Sequence, residues 1–147
     1  MTDTASERIR INASADRCFD VAVDFESYPE WLRDVKEAKT LAVDEHGRGL
    51  RVEFRAAALG KSVRYVLEYD YAAAPNEFSW HFAEGDMLRR LDGTYRFEPE
   101  GPDLTRVQYD LAVELAMPLP GLVKRRAAGL IMGSALKELK KQVEAVA

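Results

Sequence analysis

From Val35 to Leu115 apolar and polar residues alternate with a period of two, and this pattern constrains the fold more than any other feature of the chain. Val52, Phe54, Ala56 and Ala58 share one parity. Beyond a turn at Gly60, Val63, Tyr65, Leu67, Tyr69 and Tyr71 share an apolar face opposite Arg64, Glu68 and Asp70. Pro75-Asn76 marks the next turn, after which Phe78, Trp80 and Phe82 fall in phase. Gly85-Asp86 leads into a run carrying Met87, Leu91, Tyr95 and Phe97, and Gly101-Pro102-Asp103 into Val107, Tyr109, Leu111, Val113 and Leu115. Successive side chains of a strand point to opposite faces, so the runs predict an antiparallel meander with one wet and one apolar side.

The flanks obey a different rule. Glu7 to Ile11 reads as a short strand, broken at Asn12-Ala13-Ser14. The Ser14 hydroxyl can cap a helix reaching about Val23, with Phe19, Ala22 and Val23 on its apolar side. Asp24 to Leu32 holds Phe25, Tyr28, Pro29 and Trp31; the proline biases Tyr28 toward extended backbone, which predicts a turn or broken short helix that gathers aromatics. After Pro118-Leu119-Pro120 the spacing becomes helical, with Met132, Leu136, Leu139, Val143 and Val146 on one face and Lys137, Lys140, Lys141 and Glu144 on the rest. From Gly121 to Val146 such a helix extends about 40 Å, enough to cross a sheet. The expected fold is α+β: a curved antiparallel sheet wrapped around a long C-terminal helix, with two short helices after the first strand. A chain of 147 residues without repeat, low-complexity segment or linker is expected to be a single ligand-binding domain, 1–147.

Composition narrows the partners. At 47% hydrophobic and 31% charged the chain can bury a core, and a net charge of −4 gives no general attraction to nucleic acid. Cys18 stands alone, so no internal disulfide forms, and a buried thiol in a reducing compartment is expected. Met1 to Ser6 lack an apolar leader core, and no run approaches the ~18 apolar residues of a membrane span. A cytoplasmic protein without stable membrane insertion, monomeric or homodimeric, is the expectation. Lys124-Arg125-Arg126 at the start of the long helix is either a solvated turn or an electrostatic contact with a lipid head group, a membrane surface or the anionic end of a ligand.

The inward parity is unusually aromatic, and the long helix sets Gly129, Gly133, Ser134 and Ala135 opposite it. Each mid-helix glycine costs about 1 kcal/mol relative to alanine. Two readings stay open: close packing of helix on sheet, or space for a ligand. On the second, the candidate ligand-binding residues are Trp31, Phe54, Tyr65, Trp80, Phe82, Arg89, Leu91, Tyr95, Tyr109, Gly129 and Gly133, with tyrosine hydroxyls and Arg89 as the polar groups. Catalytic patterns are weak. His46 falls in a turn and His81 on the parity opposite Trp80. One cysteine and two distant histidines make no metal-ligand spacing. Gly47-Arg48-Gly49 lacks the third glycine and the helix of a dinucleotide fingerprint, and no histidine is placed to activate Ser62, Ser79 or Ser134. No cofactor is expected. Arg89 and Glu84 read as inward, able to polarise a carbonyl or, more simply, to form salt bridges.

Several stretches taken together resemble a known group. Ser14-Ala15-Asp16, Asp24-Phe25-Glu26-Ser27-Tyr28-Pro29-Glu30-Trp31, Leu91-Asp92-Gly93-Thr94-Tyr95-Arg96-Phe97, Thr105-Arg106-Val107 and Pro118-Leu119-Pro120-Gly121-Leu122 occur in the order and spacing of the START-like superfamily of helix-grip proteins. The chain resembles especially the polyketide cyclase/dehydrase and lipid transport branch and its coenzyme Q-binding relatives. The resemblance implies a lipid, quinone or polyketide-like ligand held between sheet and long helix without metal or cofactor. It supplies no catalytic motif that maps residue by residue. Binding or carriage of a hydrophobic small molecule is the expected function. The alternatives are a cofactor-independent polyketide cyclase or dehydratase using Arg89 or a pocket tyrosine as acid, and a protein-interaction adaptor with a filled core.

Overall fold

The computed structural model describes residues 3–58, 61–116 and 134–145. Among these, β1 (Asp3–Ile11), β2 (Val35–Val43), β3 (Gly49–Ala58), β4 (Lys61–Asp70), β5 (Glu77–Gly85), β6 (Leu88–Gly101) and β7 (Leu104–Leu115) form one antiparallel sheet in the order β1-β7-β6-β5-β4-β3-β2. The meander therefore runs unbroken from β2 to β7, and β1 joins beside β7. Helix α1 (Ala15–Ala22), a 3₁₀ turn (Phe25–Ser27) and helix α2 (Tyr28–Trp31) connect β1 to β2. Residues 134–145 form the C-terminal helix, α3. The curved sheet, the C-terminal helix and the short helices after the first strand are the architecture that the alternation and spacing predict. The expected helical stretch from Pro120 to residue 133 lies outside the described residues.

Local chemistry explains the connection between β1 and β2. Ser14 keeps extended backbone (ψ 156°), and its hydroxyl accepts the Arg17 amide at 3.3 Å, capping α1 as expected. Tyr28 departs from expectation. It is helical, at φ −51° and ψ −41°, although Pro29 follows it. Pro29 sits in the first turn of α2, where its missing N–H leaves no bond unmade. The crowding at Tyr28 is offset by packing: its ring lies edge-on to Phe25 and Trp31 and stacks on Phe54, and its hydroxyl donates to the Ala22 carbonyl.

The core lies between the sheet and the helices. Ile11, Phe78, Phe97 and Val107 meet Leu136, Leu139 and Val143 of α3, all fully or almost fully buried. Cys18 is a buried free thiol. Polar groups fix the register of α3: Glu144 accepts the Asn12 amide at 2.8 Å, Lys140 donates to the Arg10 carbonyl at 2.8 Å, and Glu138 accepts the Arg33 amide at 3.0 Å. The described part of α3 is thus tied to the end of β1 and to the segment after α2.

On the outer face charged side chains pair across strands. Arg64 meets Glu53 at 2.8 Å and Glu84 at 3.0 Å, and Arg51 meets Glu68 at 3.5 Å. Val66, whose cross-strand neighbours are Glu53 and Glu84, is fully buried there. This arrangement corrects the inward reading of Glu84. Leu67 pairs with Phe82 but Val66 pairs with Glu84, so Ala83 is an extra residue in β5, and the bulge turns Glu84 outward. A second shift, between Leu88 and Arg90, falls at Arg89. Leu88 and Leu91 both pack on the core, and Arg89 is exposed instead of sharing the face of Leu91.

Candidate functional site

The apolar face of the sheet is a continuous aromatic wall. From one end, Trp31 contacts Tyr28 (ring centroids 5.1 Å apart), Tyr28 stacks on Phe54 (5.9 Å), and Phe54 stacks on Tyr65 (5.5 Å). Phe25 bridges Phe54 to Tyr69 (4.3 Å), and Tyr69 reaches Trp80 (5.9 Å). Trp80, Tyr95 and Tyr109 then form a triangle with centroids 4.6–5.7 Å apart. The chain has two tryptophans, Trp31 and Trp80, and both belong to this wall.

The structure brings most of the sequence-selected residues together. Phe54, Trp80, Tyr95 and Tyr109 are buried in the core cluster, and Trp31, Tyr65, Phe82 and Leu91 are partly buried against it. Arg89 does not join them; Gly129 and Gly133 lie outside the described residues. Sequence reasoning left Phe25, Tyr28, Tyr69 and Gly93 out of the set. Gly93 pairs with Trp80 in the sheet, and a Cβ there would stand 2.3 Å from Trp80 Cζ2, so the indole lies across the bare glycine. A glycine inside a strand was a signal of such close approach, but its partner depends on register.

The polar atoms of the wall are the phenol hydroxyls and the indole N–H groups of Trp31 and Trp80. Tyr28 and Tyr71 use their hydroxyls within the protein, on the carbonyls of Ala22 and Gly49. Those of Tyr65, Tyr69, Tyr95 and Tyr109 make no hydrogen bond to any described residue. Burial pushes the Tyr65 phenol up to about 12 and holds those of Tyr69, Tyr95 and Tyr109 further above the ordinary tyrosine value, with smaller contributions from neighbouring tyrosines. The hydroxyls therefore stay neutral across the physiological range. His46 and His81 are exposed, paired loosely with Glu45 (3.7 Å) and Glu68 (3.6 Å) on the outside. Among the described residues there is no cluster of His, Cys, Asp and Glu able to hold a metal ion, and no helix is long and apolar enough to cross a membrane.

A sheet gripping a C-terminal helix over an aromatic interior defines a helix-grip protein. The chain belongs to the polyketide cyclase/dehydrase and lipid transport family, whose profile matches residues 2–144. It is similar to a START superfamily protein from Mycobacterium smegmatis at 28% identity, TM-score 0.92, covering 98% of this chain and 99% of that one. A structure from Thermus thermophilus matches at 29% identity and TM-score 0.82, over 99% of both chains. The Zhui aromatase/cyclase of Streptomyces sp. R1128 shares the fold at TM-score 0.85 and 12% identity, over 98% of this chain and 94% of that one. No curated protein matches the chain.

Proposed function

We propose that the protein is a single domain that binds and carries a hydrophobic small molecule, of lipid, quinone or polyketide-like chemistry, between the aromatic sheet face and the C-terminal helix. Family membership and the START superfamily relative support a hydrophobic-ligand or polyketide cyclase role. The observation that carries the binding reading is the set of tyrosine hydroxyls facing the interior without a hydrogen-bond partner among the described residues. A phenol oxygen without a partner among the described residues has hydrogen-bonding capacity left over, and a ligand's polar group or an ordered water would take it up. The same unpartnered hydroxyls weigh against an adaptor with a filled core. In this reading the protein works in the cytoplasm, as a monomer or homodimer, with transient membrane contact to collect or deliver its ligand.

The second reading, a cofactor-independent cyclase or dehydratase, gains support from the shared fold of the aromatase/cyclase. It needs an acid or base in the pocket. The histidines and Arg89 are exposed, and phenols held above their ordinary range are poor proton donors, although they remain good hydrogen-bond donors. Carriage is therefore preferred. Native mass spectrometry of protein purified from its own host should reveal a retained hydrophobic molecule, and adding apolar probes should quench the emission of Trp31 and Trp80. Protein that carries nothing and responds to no fatty acid, quinone or flat polyphenol would remove this reading; turnover of a poly-β-keto chain would favour the cyclase.

A further inference from the structure

The polar atoms on the interior face of the sheet are mostly phenol hydroxyls, joined by the indole N–H of Trp80. Tyr69, Tyr95 and Tyr109 are 9%, 7% and 8% exposed, and their phenols lie close enough to Tyr65 or to one another to interact electrostatically. Charged groups are directed elsewhere. Arg51, Arg64, Arg96 and Arg106 pair with carboxylates across the outer face, and Arg89 is exposed. Among the described residues no lysine, arginine, aspartate or glutamate is buried as a whole, the Nε of Arg17 on α1 being a buried atom of a half-buried side chain, and Thr105 is the one buried residue of the polar and charged classes. Its hydroxyl is already committed to the Ala13 carbonyl at 2.8 Å.

A phenol both donates and accepts one hydrogen bond, so a group of them matches carbonyl and hydroxyl oxygens on a flat or apolar frame. A carboxylate entering the same place would bring a net charge to a sheet face that offers no counter-ion among the described residues. Stripping such a charge of water costs several kcal/mol, more than bonds to neutral phenols return. We propose that the ligand's pole facing Tyr69, Tyr95 and Tyr109 is uncharged and bears more than one carbonyl or hydroxyl oxygen, and that these tyrosines select it against carboxylates. This rests on the cavity reading above and narrows it.

Three probes sharing one ring system separate the two claims: naphthalene, 1,5-dihydroxynaphthalene and 2-naphthoate, titrated into the full chain at pH 7.5 with tryptophan emission as readout. The expected order is dihydroxynaphthalene first, naphthalene next and naphthoate last, with the first at least ~10-fold tighter than the last, a difference of about 1.4 kcal/mol. Naphthoate should gain affinity as the pH is lowered toward 5 and its neutral acid accumulates. Tyr95→Phe with Tyr109→Phe, which keeps both rings, should bring dihydroxynaphthalene down to the affinity of naphthalene and leave naphthalene unchanged. Naphthoate binding as tightly as the diol, or a diol affinity indifferent to the loss of both hydroxyls, overturns the selectivity while leaving the cavity intact. Failure of even naphthalene to bind refutes the cavity reading and this inference with it. Should the double variant not fold, the ranking of the three probes on the unaltered chain decides.

Discussion

Gly93 and Trp80 show how a single missing methyl sets the shape of the wall. With a Cβ at Gly93, Trp80 Cζ2 would be at 2.3 Å, Cε2 at 2.7 Å and the Asp110 carbonyl at 2.9 Å, so the indole would have to leave its place. Gly93→Ala is expected to lower stability by about 1–3 kcal/mol through overpacking and to shift the emission of Trp80. A urea melt with tryptophan detection reads both effects; an unchanged midpoint and spectrum would mean that the ring is free to move. Thr105 is the second telling residue, because its hydroxyl both donates to Ala13 and lies beside the Cys18 thiol, offsetting part of the rise that burial causes there. Thr105→Val keeps the shape and removes the donor. Leaving the Ala13 carbonyl without it should cost about 1–3 kcal/mol, measured by the same melt.

At the scale of elements, the alternation located the strands well because the β1–β7, β3–β4 and β5–β6 pairings keep register throughout, so along each of them the inward position repeats two residues on. It failed where a strand gains a residue. Ala83 and Arg89 each add one, and neither stands out in hydropathy, so Glu84 and Arg89 were placed on the wrong face. An acidic residue at an inward position was the available hint, and pairing with Arg64 on the outside explains it. Helical spacing was more robust: Leu136, Leu139 and Val143 are the buried face of α3. Leu139→Ala should therefore cost about 2–5 kcal/mol in chemical denaturation. A loss below about 0.5 kcal/mol would mean that the helix can re-pack or turn another face to the sheet. The side chains that pin α3, Glu138 to Arg33 and Glu144 to Asn12, connect residues more than 100 positions apart in sequence and could not be paired from spacing.

Across the whole molecule, the aromatic face was legible because tyrosine, phenylalanine and tryptophan announce their parity, whereas the state of their hydroxyls was not. Whether a phenol finds a carbonyl, as Tyr28 does at the end of α1 and Tyr71 at the start of β3, depends on which elements the fold sets side by side. The collective consequence appears at alkaline pH. Tyr65 is raised to about 12, and Tyr28, Tyr69, Tyr95 and Tyr109 are held higher, against about 10 in the unfolded chain. Below about pH 10 both states keep these phenols neutral, and their contribution to stability is fully present. Above it the unfolded chain releases protons that the folded chain retains, so stability falls as pH rises toward the folded values. Each such tyrosine then removes about 1.4 kcal/mol per pH unit, and several acting together exhaust the ~5–15 kcal/mol of an ordinary domain within one or two units. The expected result is one cooperative transition between about pH 10 and 12, in which tyrosinate absorbance grows as the circular dichroism of the sheet disappears. Replacing Tyr95 and Tyr109 by phenylalanine should make the loss of stability with pH less steep. Smooth ionisation of all the tyrosines near pH 10 with an intact sheet would show that water and hydroxide reach the interior freely, and that the wall is not the dry, uncharged surface on which the selectivity depends.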